Sequence, residues 1–132
     1  MVSLDNLIKN SDIITIHIHL NKDTENLINY DLLKKMKNSA FLINTSRGKI
    51  IKEEDLLIAL KKKLIRGAGL DVIDGEWLDD KKRNRHKLIS YARKNSNLLI
   101  TPHIGGATKE SIYYSRVFMA KKIAKKMKTN TQ

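Results

Sequence analysis

The chain has 132 residues, 41% of them hydrophobic, and its 26 Lys and Arg residues outnumber its 14 Asp and Glu residues to give a formal net charge of +12. This length suits one domain and excludes a second full one. No apolar stretch approaches the roughly 20 residues that span a bilayer, and the N-terminus lacks a signal peptide. We therefore expect a cytoplasmic protein without a membrane partner. The absence of Cys excludes disulfides, thiolate zinc sites and a Cys nucleophile, and we predict no metal site.

Helices and apolar strands alternate along the first half of the chain. A short helix capped by Ser3 is followed by a buried strand over residues 12–18. A second helix, capped by Asn29, is followed by a second strand over residues 40–44. The apolar residues that give these two helices their period are Leu4, Leu7, Ile8, Leu32, Leu33 and Met36.

The same alternation continues in the second half. A helix over residues 53–63 begins acidic and ends basic, as the helix dipole favours, and precedes a strand at 68–72. Helical spacing within 79–94 leads to a strand at 97–101, and the last helix covers 108–127. Helices alternating with continuous apolar strands indicate a parallel sheet covered on both faces. The predicted fold class is α/β.

Basic residues cluster at positions 61–63, 81–85 and 121–128. The first and third clusters lie on helical segments whose other positions are apolar, so we interpret them as solvated helix faces. Aromatic residues make up only 5% of the chain and do not interleave with the basic stretches. Base stacking therefore has little support and a nucleic-acid partner is not favoured, although a basic nucleic-acid or regulatory binding module stays open as an alternative function.

Polar residues follow each predicted strand, at the edge where the ligand crevice of an open parallel sheet lies. The four clusters are His17-Ile18-His19, Asn44-Thr45-Ser46-Arg47-Gly48, Asp71 with Gly75-Glu76, and Thr101-Pro102-His103-Ile104-Gly105-Gly106. An Arg, a carboxylate and a His that converge on one crevice would supply an anion clamp, a group that orients the His, and an acid/base. Taken singly, each has a structural interpretation as well; Arg47, for example, could cap a helix.

In these motifs and their order, the chain resembles the D-isomer-specific 2-hydroxyacid dehydrogenases, which include phosphoglycerate, glyoxylate and D-lactate dehydrogenase-like enzymes. The matching segments are SDIITIH at 11–17, LINTSRG at 42–48, GAGLDV at 67–72, and TPHIGG at 101–106 with Thr108. The intervals are also family-like, with 76 − 47 = 29 residues from Arg47 to Glu76 and 103 − 76 = 27 from Glu76 to His103. The resemblance covers about residues 3–127.

The resemblance implies hydride transfer between NAD and C2 of a D-2-hydroxy acid or 2-keto acid, with NADP not excluded. Arg47 would hold the substrate carboxylate and carbonyl, for which a forked guanidinium is suited. His103 would exchange a proton with the carbonyl oxygen, and Glu76 would hydrogen-bond the other imidazole nitrogen. In this chain Trp77 follows Glu76 where the family has Pro.

The resemblance also implies a set of residues along the cofactor, with Asp71 at the nicotinamide carboxamide. The implied cofactor-binding residues are His17, Thr45, Ser46, Arg47, Asp71, His103, Gly105 and Gly106. His19 stands where the family has Pro. For Gly67 and Gly69, a tight turn and close strand packing are a sufficient explanation without any functional role.

Two parts of the family pattern are missing from the sequence. None of the six glycines forms the Gly-x-Gly-x-x-Gly turn that holds the cofactor pyrophosphate, and the separate substrate domain is absent. We therefore expect residues 1–128 to be the C-terminal part of a Rossmann-like NAD-binding domain, and residues 129–132 to be a disordered tail.

The missing strands would leave the apolar strand at 12–18 with an unpaired edge, which invites association. We expect a homodimer, or a complementing chain that supplies the Gly-rich half. A truncated NAD-binding remnant without catalytic activity is the alternative, because such a chain would keep the same motifs.

Overall fold

The computed structural model of the chain describes residues 2–75 and 85–129. The chain divides into two compact units, Met1–Pro102 and His103–Gln132. The first unit contains all four described strands and four of the five described α-helices, and the second contains one long helix.

The four strands form one parallel sheet in the order β1-β2-β3-β4. The strands are β1 (Ile13–Ile16), β2 (Phe41–Asn44), β3 (Gly67–Leu70) and β4 (Leu98–Ile100). Each predicted strand is present but shorter than predicted. The ladder between the first two strands ends where Ile16 pairs with Asn44, because the chain turns out of the sheet after Asn44. The parallel arrangement confirms the α/β class.

The described helices lie close to their predicted positions. They are α1 (Leu4–Asn10), α2 (Tyr30–Leu33), α3 (Glu53–Lys61), α4 (Lys87–Ala92) and α5 (Lys109–Thr129), with a 3₁₀-helix at Gly48–Ile50 that the sequence did not predict. The Ser3 hydroxyl accepts from the Asn6 N–H and the Asn29 side chain accepts from the Leu32 N–H, so both predicted caps are confirmed. Among the described residues, no helix combines the length and the apolar character that a membrane span requires.

One face of β1 and β2 packs into the core and the other is partly open. Ile14 and Leu42 are buried, whereas the alternate residues Ile13 and Phe41 are 66% and 38% exposed. Within the first unit, the second face of these two strands is therefore less fully covered than the first. A continuous apolar run has the same sequence pattern whether one face or both faces of the strand are buried, so periodicity could not distinguish these two arrangements.

Glycines in β3 allow close packing. A Cβ at Gly67 would lie 2.9 Å from the Asn97 carbonyl oxygen, and one at Gly69 would lie 3.1 Å from the Ile43 side chain. Close strand packing thus accounts for both glycines, as the residues alone suggested.

Candidate functional site

A cleft of about 570 Å³ lies at the carboxyl ends of β1 and β2, at the edge where the site was predicted. It is lined by His17, Ile18, His19, Leu20, Thr45, Ser46 and Arg47. The polar clusters that follow the first and second strands therefore share one cleft. Four of the predicted site residues are among its lining side chains.

The buried side chain of Asn44 builds the turn that carries Arg47. Asn44 is fully inaccessible to solvent, its Nδ2 donates to the Arg47 carbonyl oxygen at 2.9 Å, and its Oδ1 accepts from the Ser46 N–H at 3.0 Å. Because a buried amide is costly without partners, these bonds define one conformation of the turn. The same residue's carbonyl oxygen accepts from the Asp71 N–H at 2.9 Å, which joins the turn to the end of β3.

Two further hydrogen bonds shape the cleft. The Ser46 hydroxyl donates to the Ile18 carbonyl oxygen and so ties the loop after β2 to the loop after β1. The Arg47 Nη1 donates to the Ser46 carbonyl oxygen at 2.6 Å. The Arg47 side chain is exposed, so a guanidinium with several donors stands on a fixed backbone at the cleft.

His17 lies on the β1 side of the cleft. Its Nε2 is 2.9 Å from the Thr15 hydroxyl oxygen two residues earlier, and the side chain is exposed. The local contact orients the imidazole on the cleft wall. This geometry fits a group that contacts a ligand, and it shows no partner of the kind that would make His17 an acid/base.

Asp71 is a buried carboxylate at the end of β3. It is 7% exposed, and its Oδ1 accepts a hydrogen bond from the Thr101 hydroxyl at 2.5 Å. The Thr101 N–H in turn donates to the Leu70 carbonyl oxygen at 2.9 Å. The carboxylate is therefore held between the ends of β3 and β4, at the same edge of the sheet as the cleft. A carboxylate accepts several hydrogen bonds, so Asp71 is suited to receive an amide N–H as well.

Gly48 brings the chain after Arg47 against the chain after β3. A Cβ at Gly48 would lie 2.2 Å from the Ile73 carbonyl carbon and 2.4 Å from the Asp74 nitrogen. Only Gly allows two backbones to approach so closely. The sequence placed Gly48 in a motif but gave no sign of this contact, because the residues are 25 positions apart.

Four predicted site residues, Glu76, His103, Gly105 and Gly106, are not among the described residues of the first unit. Glu76 lies outside the described residues. His103, Gly105 and Gly106 belong to the second unit, where His103 has a left-handed φ of 55° and a Cβ at Gly106 would meet nothing within 4 Å. Their roles at the site stay predictions.

The sequence reasoning did not single out Asn44 and Thr101 as residues that support the site. Both are polar residues at the end of an apolar strand. A polar side chain in that position, immediately before a loop that carries a candidate ligand residue, is the signal that could have found them.

The first unit also contains a cation-rich cleft at the opposite edge of the sheet. It is lined in part by Lys61, Lys63, Arg66 and Lys94, near the C-terminal ends of α3 and α4. Lys61 to Lys63 form the first predicted basic cluster. Cations at helix C-termini are stabilised by the helix dipole, which explains this cluster without a ligand.

Comparison with known proteins identifies the family of the chain. Residues 1–105 match the family model described as "D-isomer specific 2-hydroxyacid dehydrogenase, NAD binding domain". A glycerate dehydrogenase from Methylorubrum extorquens is 43% identical over 118 residues, and a glyoxylate reductase from Thermofilum pendens is 44% identical over 108 residues. These matches cover 85% and 82% of this chain, respectively.

Solved structures show the same similarity. A D-lactate dehydrogenase from Aquifex aeolicus, complexed with NAD and lactic acid, superimposes with a TM-score of 0.80 at 34% identity over 97% of this chain. The match covers 40% of that structure, and the two enzymes above are covered to 34% and 30% of their length. The chain thus spans about a third of the curated relatives it matches.

Proposed function

This chain belongs to the D-isomer specific 2-hydroxyacid dehydrogenase family and matches its NAD-binding domain, and from that premise we propose that it forms the nicotinamide and substrate end of an NAD-dependent oxidoreductase. The proposed reaction is hydride transfer between the nicotinamide and C2 of a D-2-hydroxy acid or 2-keto acid. The observation that supports it most directly is the cleft in which Asn44 holds Arg47 beside Thr45, Ser46 and His17.

The residues present fit the nicotinamide end of the cofactor. The buried Asp71 carboxylate can accept the N–H of a carboxamide, and Thr45 and Ser46 supply hydroxyl groups along the same edge. NAD, when bound, would supply the hydride acceptor or donor. Asp71 and the two hydroxyl residues would bind and orient it, and NADP is possible in the same arrangement.

Arg47, Glu76 and His103 carry the substrate chemistry of the proposal. Arg47 would bind the carboxylate of the substrate, because a guanidinium makes paired hydrogen bonds to a carboxylate. His103 would donate a proton to the carbonyl oxygen during reduction and accept one from the hydroxyl during oxidation. Glu76 would hold the imidazole in the required tautomer.

The proposed partners follow from what the matched part lacks. Because these 132 residues contain no Gly-x-Gly-x-x-Gly turn, a second copy cannot supply the pyrophosphate site, and we propose that a complementing segment or chain holds the pyrophosphate of the cofactor. We propose a 2-hydroxy or 2-keto acid as the substrate. A chain that lacks such a partner would be a remnant that keeps part of the binding site and has no turnover.

Calorimetric titration with NADH tests the proposal. We expect saturable binding to the 132-residue chain, and we expect Asp71→Asn to weaken it at least about tenfold through loss of one charge-assisted hydrogen bond. Asp55→Asn is the matched control, because this carboxylate on α3 is remote from the cleft and accepts from the Tyr30 N–H. No heat from a chain with a folded circular dichroism spectrum would contradict the proposal. Equal affinities of wild type and Asp71→Asn would contradict the role of Asp71.

A further inference from the structure

One carboxylate on α3 binds the chain before and after the segment that contains Glu76. Glu53 Oε1 accepts from the Asp74 N–H at 2.7 Å, and Glu53 Oε2 lies 3.0 Å from His86 Nε2. His86 Nε2 also lies 3.1 Å from the Asp74 carbonyl oxygen. Asp74 and His86 are therefore joined to each other and to the same carboxylate. We refer to Glu53, Asp74 and His86 as the Glu53 clasp.

The contacts define the state of the imidazole. Both neighbours of His86 Nε2 are acceptors, so Nε2 carries a hydrogen and donates to both. The other ring nitrogen, Nδ1, is buried, and no described residue hydrogen-bonds to it. A proton on Nδ1 would be buried without an acceptor, which is unfavourable. In the clasp, His86 thus donates from Nε2 to the Glu53 carboxylate and to the Asp74 carbonyl oxygen.

The clasp stands directly against the turn that carries Arg47. The Asp74 N–H donates to the Glu53 carboxylate, and the same nitrogen would lie 2.4 Å from a Cβ on Gly48, which has no room for one. Gly48 is the residue after Arg47 in the chain. Glu53 therefore holds the backbone at Asp74 against the turn that carries Arg47.

Burial disfavours the ionised form of the Glu53 carboxylate. The Glu53 and His86 side chains are 17% and 15% exposed, and burial raises the pKa of Glu53 while the Asp74 N–H and the imidazole lower it in part. The Asp74 carboxylate raises it further by charge repulsion. Glu53 and His86 also line a cavity of about 280 Å³ between α3 and α4, whose other described charged residues are Glu54, Arg85 and Lys87. Lys87 Nζ lies 3.0 Å from Glu54 Oε1. Removing a charged carboxylate from water costs free energy that offsets much of its attraction to its partners, so these contacts add little to the free energy of unfolding. Their main effect is to hold Asp74 and His86 in place.

We infer that Glu53 is a positioning residue, which holds Asp74 and His86 so that the backbone at Asp74 is fixed against Gly48 and the turn that carries Arg47. The inference rests on the proposed function, because it assigns a consequence for substrate binding. Glu53 is not among the residues that line the cleft beside Arg47. Its effect should therefore appear in the affinity for an anionic substrate and not in the affinity for the cofactor.

Two isotopically labelled variants of the 132-residue chain test the contacts. Glu53→Met removes both hydrogen bonds at similar volume, and we expect hydrogen exchange of the Asp74 amide to be faster by at least about tenfold. Glu53→Gln keeps an acceptor for Asp74 but presents an amide to His86, so we expect changed ¹⁵N shifts of the imidazole with a smaller change in exchange. Glu54→Gln removes an adjacent exposed carboxylate and should leave both readouts at their wild-type values.

Ligand titrations of the same variants test the positioning role. Oxamate, a 2-keto-acid analogue, is titrated in the presence of saturating NADH. We expect Glu53→Met to raise its dissociation constant at least about fivefold and to change the NADH dissociation constant by less than about twofold. Arg47→Ala should abolish oxamate binding and serves as the positive control.

The outcomes separate the inference from the proposed function. If the exchange rate of Asp74 is the same in wild type and Glu53→Met, the inference is wrong whatever the ligands do. If the rate changes while oxamate affinity stays constant, Glu53 is only structural and the positioning role is wrong. If wild type binds neither NADH nor oxamate, the proposed function fails and the positioning role fails with it, while a changed Asp74 exchange rate would still establish the clasp.

Discussion

Replacing Gly48 with Ala should destabilise the chain through one identifiable backbone clash. The added Cβ would lie 2.2 Å from the Ile73 carbonyl carbon, 2.4 Å from the Asp74 nitrogen and 2.6 Å from the Ile73 carbonyl oxygen. Contacts of a Cβ below 3.0 Å are essentially never observed, so one backbone must move by at least 3.0 − 2.2 = 0.8 Å. Gly48 does not have a positive φ, and the effect of Ala is therefore steric and not conformational.

The loss in free energy of unfolding caused by Gly48→Ala depends on how easily the atoms around the added Cβ can move. Overpacking in a well-packed region costs about 1–3 kcal/mol, and the neighbours of Gly48 are main-chain atoms held by the Glu53 carboxylate, so we expect the upper end, about 3 kcal/mol. That is a large share of the roughly 5–15 kcal/mol by which domains are stable. Urea unfolding followed by circular dichroism measures the free energy of unfolding, with the slope m checked for a common two-state transition.

Gly106→Ala is the matched control, because a Cβ there would meet nothing within 4 Å. It should change the free energy of unfolding by less than about 0.5 kcal/mol. If Gly48→Ala costs no more than Gly106→Ala, the close approach of the two backbones does not exist in solution, and the link between Arg47 and Asp74 fails with it.

Three other predictions follow from single observations. Asn44→Ala leaves the Ser46 N–H and the Arg47 carbonyl oxygen without their buried partner. In the same urea assay it should lower the free energy of unfolding by about 2–3 kcal/mol, and a loss below about 0.5 kcal/mol would contradict this prediction. Because burial raises the pKa of Glu53, its stabilising contribution is fully present below the ordinary value of 4.5 and is lost as pH rises through the raised pKa. The difference in free energy of unfolding between Glu53→Gln and wild type should therefore shift in favour of Glu53→Gln as pH rises above 4.5, and a shift in favour of wild type would contradict this prediction. The β1 edge should make the chain self-associate in sedimentation velocity at micromolar concentration, and Ile13→Lys, at a 66% exposed position, should reduce this; a monomeric wild type would count against it.

Local patterns in the sequence were sufficient to predict the described strands and α-helices, although not the 3₁₀-helix at Gly48–Ile50. The caps at Ser3 and Asn29 are made by side chains that bond three residues ahead, and the apolar strands are consecutive residues. Both signals lie within a few positions, which is the range that periodicity reports. The lengths were overestimated because a strand ends where its partner leaves the sheet, as β1 does opposite Asn44, and that event is not local.

The sequence predicted the motif residues of the site. It did not predict the contacts that hold those residues in place. Arg47, Ser46 and His17 stand in the motif and line one cleft, as expected from strand ends of a parallel sheet. The contacts of Gly48 with Asp74, and of Glu53 with His86, join residues 26 and 33 positions apart. No spacing rule relates residues at such distances, so these supports needed the structure.

The turn that carries Arg47 is held from three directions by residues that do not themselves have to touch a ligand. Asn44 bonds it from the buried side, the Ile18 carbonyl accepts from Ser46 on the β1 side, and the backbone at Asp74 closes against Gly48. Each support comes from a different part of the sheet edge, so loss of one leaves the other two in place. We therefore expect single substitutions at these supports to weaken anion binding by degrees, whereas a change of Arg47 removes the binding group at once.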